Sequence, residues 1–216
     1  SEAITKYESI LDTKQHSADL YYNLGNAHYK LNNIAPSIYY YEKALQLKPN
    51  DKEVLNNIAY AKNMTVDAIQ TVPQLGLSRL FNKVTHTLSY DSWAKLAIAL
   101  MVVFVMLFLL YYFTFSTTTK RLTFVLSFVF LFLSLASVGL AFQKQTLDKK
   151  NNPAIVFAQE TKVKTEPNLG STDAFVLHEG TKVQVIDTIS NWKKIKIDDG
   201  KTGWIISDDI KLLNIF

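Results

Sequence analysis

Cysteine is absent from the 216 residues, and charge is scarce. Without cysteine the chain has no disulfide, no catalytic thiolate and no cysteine-bound zinc, although this absence leaves the cellular compartment undecided. Charged residues make up only 19% of the chain, which is low for a soluble protein, whereas apolar residues make up 48%.

The net charge of +4 comes from the middle of the chain. Residues 72–150 hold eight Lys and Arg but only two Asp, while the segments on either side are close to neutral. Basic flanks beside lipid headgroups commonly cause such an excess. Because neither outer third shows a basic face, we expect no nucleic-acid binding.

Two apolar stretches in the middle lack ionisable residues. They are "LAIALMVVFVMLFLLYYF" and "LTFVLSFVFLFLSLASVGLAFQ", and the connection between them contains "STTTKR". Each is about as long as the ~20 residues that cross a membrane, which predicts transmembrane helices at about 94–115 and 122–143. The short connection makes residues 93–150 an antiparallel hairpin, with both ends of the chain on the same side. The missing ionisable residues argue against a transport path.

Small residues recur in the second span at seven-residue spacing: Ser127, Ser134 and Ala141. Small side chains on one face allow another helix to approach closely. We expect this face to pack either on the first span of the same chain or on a partner's helix.

Residues 72–92 are predicted to be a linker followed by an amphipathic helix. In "LSRLFNKVTHTL" the apolar residues Leu77, Leu80, Phe81, Val84 and Leu88 fall on one helical face. Arg79, Lys83 and His86 fall on the other. This pattern is typical of a helix lying in the membrane interface, and the alternative is a helix packed on a neighbouring domain.

Residues 1–71 align with themselves after a shift of 34 positions. Tyr7 then meets Tyr41, and Leu11 meets Leu45. Thirty-four residues is the period of the tetratricopeptide (TPR) repeat, and "YYNLGNAHYKLNNIAPSIYYYEKALQLKPND" resembles that repeat almost end to end. The resemblance implies helices at 2–14, 18–31, 35–48 and 52–70, with Leu24 and Gly25 at a close helix crossing. The first helix has no partner before it and the chain does not begin with Met, so we expect a further N-terminal segment.

By resemblance to TPR proteins, the first helix of each pair lines a concave groove that takes peptides. The candidate groove residues are Tyr22, Asn26, Tyr29, Lys30, Glu53, Asn56 and Tyr60. Asn26 and Asn57 suit a clamp for a C-terminal carboxylate, but Tyr22 and Glu53 stand where such clamps carry cations. We therefore expect no carboxylate clamp. The alternative is a solvated face without a ligand.

From residue 151 onward the pattern changes to short alternating strands, "AIVFA", "TKVKT", "TKVQVID", "WKKIKI" and "GWIIS". The stretch "LHEGTKVQVIDTISNWKKIKIDDGKTGWI" resembles the bacterial SH3 (SH3b) domain, which implies a small barrel of five strands over 151–216. Some SH3b domains bind cell-wall peptides and others bind proteins. We expect Trp204 in the core and Trp192 partly exposed, as a candidate ligand surface.

No feature of the sequence predicts catalysis or a cofactor. The four histidines lie far apart in the predicted elements, without metal-binding spacing. No serine occupies a nucleophile motif. "GKT" at 200–202 lies in a predicted hairpin and lacks the upstream glycine of a phosphate loop. We expect neither enzymatic activity nor a bound metal.

Taken together, the sequence predicts a multidomain membrane protein with a helical TPR domain, a two-helix transmembrane hairpin and a small all-β SH3b barrel. This order, with "NMTVDAI" and "DGKTGWI", resembles the BatE family of the Bacteroides aerotolerance (Bat) operon. The resemblance implies an inner-membrane scaffold with periplasmic domains. It also implies membrane partners with von Willebrand factor A domains, a BatD-type protein and, indirectly, a MoxR-type AAA+ ATPase.

Two signals disagree on orientation. Lys and Arg are more frequent beside the end domains than in the hairpin connection, which favours cytoplasmic end domains, while the family resemblance favours the periplasm. Several of these cations belong to the amphipathic helix, and a signal sequence of the family type would set the orientation first, so we expect periplasmic end domains. Two roles remain: a scaffold that assembles a Bat-type complex, and a sensor that binds peptidoglycan through the SH3b domain.

Overall fold

The computed structural model describes residues 2–69 and 76–213. Four helices form the helical domain: α1 (Glu2–Asp12), α2 (Ala18–Lys30), α3 (Ile34–Leu47) and α4 (Lys52–Lys62). Side-chain caps fix two of the starts, because Ser17 accepts a hydrogen bond from the Leu20 N–H and Asp51 accepts from the N–H groups of Glu53 and Val54. The predicted bounds of α1, α2 and α3 are confirmed to within two residues.

Helix α4 ends at Lys62, so the prediction of a helix to residue 70 is wrong at its C-terminal end. The helical period of apolar residues continues past this point, but Val66 is 71% exposed. Ile69 packs against the core of the β domain described below. The residues after Lys62 therefore contact the β domain instead of continuing the helix that their apolar period predicts. Residues 70–75, which include part of the predicted linker, lie outside the described residues.

Gly25 sets the crossing of α2 and α3, as predicted. A Cβ atom at this position would lie 2.5 Å from the Tyr41 ring, and the Ser37 hydroxyl donates to the Gly25 carbonyl at 3.1 Å. Tyr41 and Leu24 are fully buried beside it. Glycine is required here because the two helices touch through the Tyr41 ring.

Three further helices form a separate unit: α5 (Gly76–Thr85), α6 (Tyr90–Phe113) and α7 (Thr117–Lys150). Helices α6 and α7 pack along each other as the predicted hairpin. Their connection is shorter than predicted, since most of "STTTKR" belongs to α7. The α5 helix begins this unit, and the Trp93 indole N–H donates to the buried Thr85 carbonyl at 3.3 Å. The side chain of Leu77 lies outside the described residues.

Seven strands form the β domain: β1 (Pro153–Val156), β2 (Glu160–Lys164), β3 (Asp173–His178), β4 (Lys182–Ile189), β5 (Trp192–Lys196), β6 (Thr202–Ile206) and β7 (Ile210–Leu212). They make one antiparallel sheet in the order β3-β2-β6-β5-β4-β1-β7. The five predicted strands are confirmed, but β3 and β7 were not predicted. Among the described residues β3 and β7 do not pair, so the sheet is not closed into the predicted barrel.

The helical domain and the β domain share one core. Ile155 of β1 and Leu213 are fully buried in the same apolar cluster as Tyr21, Ile38 and Tyr41. Residues 1–72 and 151–216 accordingly form one compact unit, although the two apolar helices separate them in sequence.

Candidate functional site

Two adjoining pockets line the face formed by α1, α2 and α4. The first has a volume of about 340 Å³ and the second about 430 Å³. Asn26 and Lys30 border both pockets and form a ridge between them. The first pocket is completed by Tyr29, Asn57 and Tyr60. The second is completed by Ala3, Tyr7, Asn23, Ala27 and Leu31. We call this pair of pockets the groove.

Four of the seven predicted groove residues come together in the first pocket: Asn26, Tyr29, Lys30 and Tyr60. Tyr60 is 62% exposed and Tyr29 is 37% exposed, so both rings are accessible to a ligand. Glu53 and Asn56 are exposed on α4 but border neither pocket. Over both pockets the groove is lined by three tyrosine rings, three asparagine amides and one cation, and none of the described residues that border it carries a carboxylate.

A hydrogen-bond network underlies the groove and holds Tyr22 in place. The Tyr41 hydroxyl donates to Asn26 Oδ1 at 2.7 Å, and Asn57 Nδ2 donates to the same oxygen at 2.8 Å. Asn57 Nδ2 also donates to the Tyr22 hydroxyl at 3.1 Å. Tyr22 is half-buried in this network, so it supports the groove from below and borders neither pocket. Burial raises the pKa of Tyr41 to about 12, which keeps its hydroxyl a donor.

Asn57 is therefore a groove residue that the predicted site did not include, although the sequence paired it with Asn26 as a possible clamp. Asn23, which the 34-residue shift aligns with Asn57, borders the second pocket and was not predicted either. Asn26 Oδ1 accepts two hydrogen bonds, whereas its Nδ2 has no hydrogen-bond partner within residues 2–69 and 76–213. This N–H₂ group and the Lys30 ammonium can both donate to a ligand in the groove.

A second surface lies on the outer face of the β domain. Strand pairing places Ile189, Trp192 and Ile206 in one row across β4, β5 and β6. Trp192 is partly exposed, as predicted, and Ile189 is 48% exposed. The row offers an apolar strip with one indole ring to a ligand.

Trp204 is buried, as predicted, but it does not belong to the main apolar cluster of the β domain. It pairs with Lys164 on one side and Lys194 on the other, and the Lys194 ammonium lies 5.8 Å from its ring centre. The neighbouring residues Gly203 and Ile205 face the core with Ile195. Because side chains alternate along a strand, Trp204 lies on the outer face and is covered by lysine side chains.

The junction of the helical and β domains contains two carboxylates, the buried Glu42 and the half-buried Asp67. Glu42 Oε1 lies 3.0 Å from Lys62 Nζ, and Glu42 Oε2 lies 2.6 Å from Lys182 Nζ. Burial alone would raise the pKa of Glu42, but the two lysines outweigh it and hold the pKa below its ordinary value.

Asp67 makes the second polar contact of the junction. It accepts hydrogen bonds from the His178 N–H at 2.8 Å and the Thr181 hydroxyl at 2.6 Å, and its other oxygen lies 2.8 Å from His178 Nδ1. Burial alone would raise the pKa of Asp67, but these hydrogen bonds outweigh that effect and hold the pKa below its ordinary value. Both carboxylates are thus held as anions that bind the β domain.

The small residues of α7 face α6 of the same chain. Ser127 and Ser134 are buried, and the Ser134 hydroxyl donates to the Ala97 carbonyl at 2.8 Å. Ala141 lies at a cleft that Ala94 and Ala97 of α6 also line. These contacts are those of packing within the hairpin.

Helix α5 keeps its apolar side chains accessible. Leu80, Phe81 and Val84 are between 41% and 61% exposed and line a shallow cleft against Gly139 and Leu140 of α7. Arg79 and Lys83 are exposed on the same helix. The packing of α5 on α7 therefore covers only part of its apolar face.

Within residues 2–69 and 76–213, no group of three or more His, Asp or Glu side chains is placed to hold a metal ion. Two of the histidines already have partners within the fold, because His28 stacks on Tyr40 and His178 contacts Asp67. Burial lowers the pKa of His28, which favours its neutral form. These two histidines are part of the packing of the fold.

Comparison with known proteins agrees with this architecture. Residues 18–51 match the tetratricopeptide repeat, and residues 160–211 match the bacterial SH3 domain. No curated protein matches the chain. With the two long apolar helices, these matches confirm the predicted fold class, and both domain types support a role in binding proteins or the cell wall.

Proposed function

We propose that this chain is a membrane-anchored scaffold that binds a segment of a partner protein in the groove. The observation that carries the proposal is the ridge of Asn26 and Lys30 between two pockets, with two accessible tyrosines beside it. An extended peptide crossing the ridge would place a side chain in each pocket, and its backbone carbonyls would accept from Asn26 Nδ2 and Lys30 Nζ. Tyr29 and Tyr60 would contribute apolar contact area at little entropic cost.

The anchor is the α6–α7 hairpin. Its helices have 24 and 34 residues and are long and apolar enough to cross a membrane, while most of their apolar side chains are exposed. Lipid would cover this surface, and α5 would lie in the interface with Arg79 and Lys83 toward the headgroups. The shared core of residues 1–72 and 151–216 supports the expectation that both ends lie on one side of the membrane.

The finer proposal is a Bat-type complex in the inner membrane, with the end domains in the periplasm and a function in aerotolerance or envelope stress. Its support is the order of the TPR repeat, apolar hairpin and SH3 domain, together with the sequence resemblance. The partners would be membrane proteins with von Willebrand factor A domains and a BatD-type protein, linked indirectly to a MoxR-type ATPase. The role would be non-catalytic, as both matched domain types are binding modules.

The test is a pull-down of the intact chain from membranes in mild detergent, with the bound proteins identified by mass spectrometry. We expect a protein with a von Willebrand A domain to be recovered with the unchanged chain. The double variant Tyr29→Ala/Tyr60→Ala should lose it at least tenfold. Leu55→Ala is the matched control, because Leu55 is also exposed on α4 but borders neither pocket. If both variants recovered the partner protein equally well, the groove would not be its binding site.

A second candidate function, binding of peptidoglycan, is favoured by the row of Ile189, Trp192 and Ile206. An exposed indole ring can stack on a sugar or an apolar peptide group. The isolated β domain is a poor reagent for this test, because Ile155 and Leu213 would be exposed without the helical domain. The intact chain should instead be sedimented with purified peptidoglycan. Loss of co-sedimentation for Trp192→Ala, but not for Val176→Ala on β3, would support this function.

A further inference from the structure

Two lysines flank Ile155 on the face of the sheet that packs against α3. In the register of β4, β1 and β7, Ile155 pairs with Lys182 on one side and Lys211 on the other. Ile155 is fully buried in the cluster that contains Ile38 and Tyr41 of the helical domain. Because directly paired residues share one face of a sheet, both lysines extend toward the helical domain.

The surroundings of these two lysines differ in charge. Lys182 reaches Glu42, with Nζ 2.6 Å from Oε2. Lys211 instead places Nζ 4.4 Å from the centre of the Phe157 ring. Phe157 meets Tyr39 of α3 edge to face at 5.6 Å, and Tyr39 carries Lys43 Nζ at 5.0 Å from its own centre. Lys182 thus has the buried Glu42 carboxylate as its partner. Lys211 has no carboxylate partner, and the nearest ring beyond Phe157 holds a second ammonium group, that of Lys43.

Neither Lys43 nor Lys211 forms an ion pair with another residue in the part of the chain that the structure describes. Lys43 is half-buried against Tyr21 and Tyr39, and burial lowers its pKa without an opposing carboxylate. Cations on aromatic faces are attracted to the rings, but the rings carry no net charge and supply no counter-ion. An acidic segment lying along the Tyr39–Phe157 pair would bring a carboxylate to each ammonium group.

We propose that Lys43 and Lys211, held on the Tyr39–Phe157 pair, form a binding site for an acidic peptide segment of a protein partner. Carboxylates of the segment would contact the two ammonium groups, and an apolar neighbour in the same segment would pack on the two half-buried rings. A free phosphate fits less well, since it would lose hydration against the rings without gaining apolar contact.

The site exists only where the two domains meet, because Tyr39 and Lys43 belong to α3 while Phe157 and Lys211 belong to the β domain. It is composed of residues other than those of the groove, which α1, α2 and α4 supply. The inference therefore stands apart from the groove's proposed role and adds a second contact surface to the same unit.

The test uses the full chain in detergent micelles and a short fluorescein-labelled peptide of alternating glutamate and leucine. Fluorescence anisotropy measures binding, and the same peptide with glutamine in place of glutamate controls for apolar contact alone. We expect the glutamate peptide to bind, and Lys43→Gln and Lys211→Gln each to weaken it about fivefold, as for one partly exposed charge pair. Lys43→Arg retains the charge and should bind nearly as the unchanged chain does. The matched control Lys196→Gln removes an exposed lysine of β5 and should leave binding unchanged.

Three results would overturn the proposal. The first is equal binding of the peptide by the unchanged chain and both glutamine variants. The second is no difference between the glutamate and glutamine peptides, or no binding of either. The third is displacement of the peptide by inorganic phosphate at concentrations near the peptide's own dissociation constant, which would assign the site to free oxyanions. Tyr60→Ala should leave this binding unchanged, so that failure of the groove proposal is distinguishable from failure of this one.

Discussion

Glu42 is the residue on which the two domains depend most directly. It is 7% exposed and has one lysine from each domain as a partner. Removing a buried carboxylate leaves its lysines without a counter-charge, although Lys62 and Lys182 are each nearly half exposed and recover hydration. We therefore expect Glu42→Ala to lower the free energy of unfolding of this unit by about 2 kcal/mol. Urea unfolding followed by tryptophan fluorescence measures this, with Glu8→Ala on the exposed face of α1 as the control. An equal loss in both variants would mean that the junction contributes nothing specific.

Asp67 and Glu42 together predict how this unit responds to acid. Both have folded pKa values below their ordinary values of 3.8 and 4.5. A carboxyl group with a lowered folded pKa stabilises the fold above its unfolded pKa, and this stabilisation is lost as the pH falls through the folded value. The urea midpoint should therefore be constant above about pH 5.5 and fall steadily below about pH 4.

The variant Asp67→Asn/Glu42→Gln should start from a lower midpoint and show a much weaker decrease with acid. Glu8→Gln, which removes an exposed carboxylate of α1, should retain the full decrease. A double variant with the same pH dependence as the unchanged chain would assign acid sensitivity to other groups.

At the scale of elements, the turn between β3 and β4 is fixed by Gly180. Its φ is +84°, and a Cβ atom would lie 2.8 Å from Thr65 Cγ2 and 2.9 Å from Ile38 Cδ1. Gly180→Ala would therefore strain the backbone and press on both the α3 helix and the segment after α4. We expect it to destabilise this unit by about 2 kcal/mol or more and to increase hydrogen exchange in α3 and β4 together. Gly170→Ala is the control, since its nearest neighbour lies 3.6 Å away, and it should change neither measurement.

Periodic and local signals explain what was predictable about the elements. The 34-residue register located α2 and α3 because Gly25 and Tyr41 meet within the repeat itself. It also brought Asn26, Tyr29, Lys30 and Tyr60 to one face. It misplaced the end of α4 because Asp67 and Ile69 bind the β domain, which lies more than 80 residues further along the chain. The strand β7 was missed because it has only three residues and depends on pairing with β1. The strand β3, which pairs with β2, was missed as well.

The whole molecule differs from a row of independent modules. The sequence separates a repeat, a hairpin and an SH3 domain, and nothing local to any of them predicts that Ile155 and Leu213 complete a helical core. Because this core joins segments on both sides of the hairpin, a partner in the groove and a partner on the outer face of the β domain would be held by one unit. This arrangement suits a scaffold, as it fixes the spacing of two partners without a linker.

The shared core predicts that the two soluble segments assemble without the hairpin. Residues 1–69 and 151–216, expressed together as separate chains, should co-elute in size-exclusion chromatography as a one-to-one complex. The interface supplies the buried Ile155, the Glu42–Lys182 ion pair and the contacts of Asp67 with Thr181 and His178. Ile155→Asp would place an unpaired charge in the helical core and should abolish co-elution, because burying a carboxylate there costs several kcal/mol. Val176→Asp on β3, where the side chain is 39% exposed, should leave the complex intact. Separate elution of the unchanged fragments would show that the hairpin, and not the shared core, holds the two domains together.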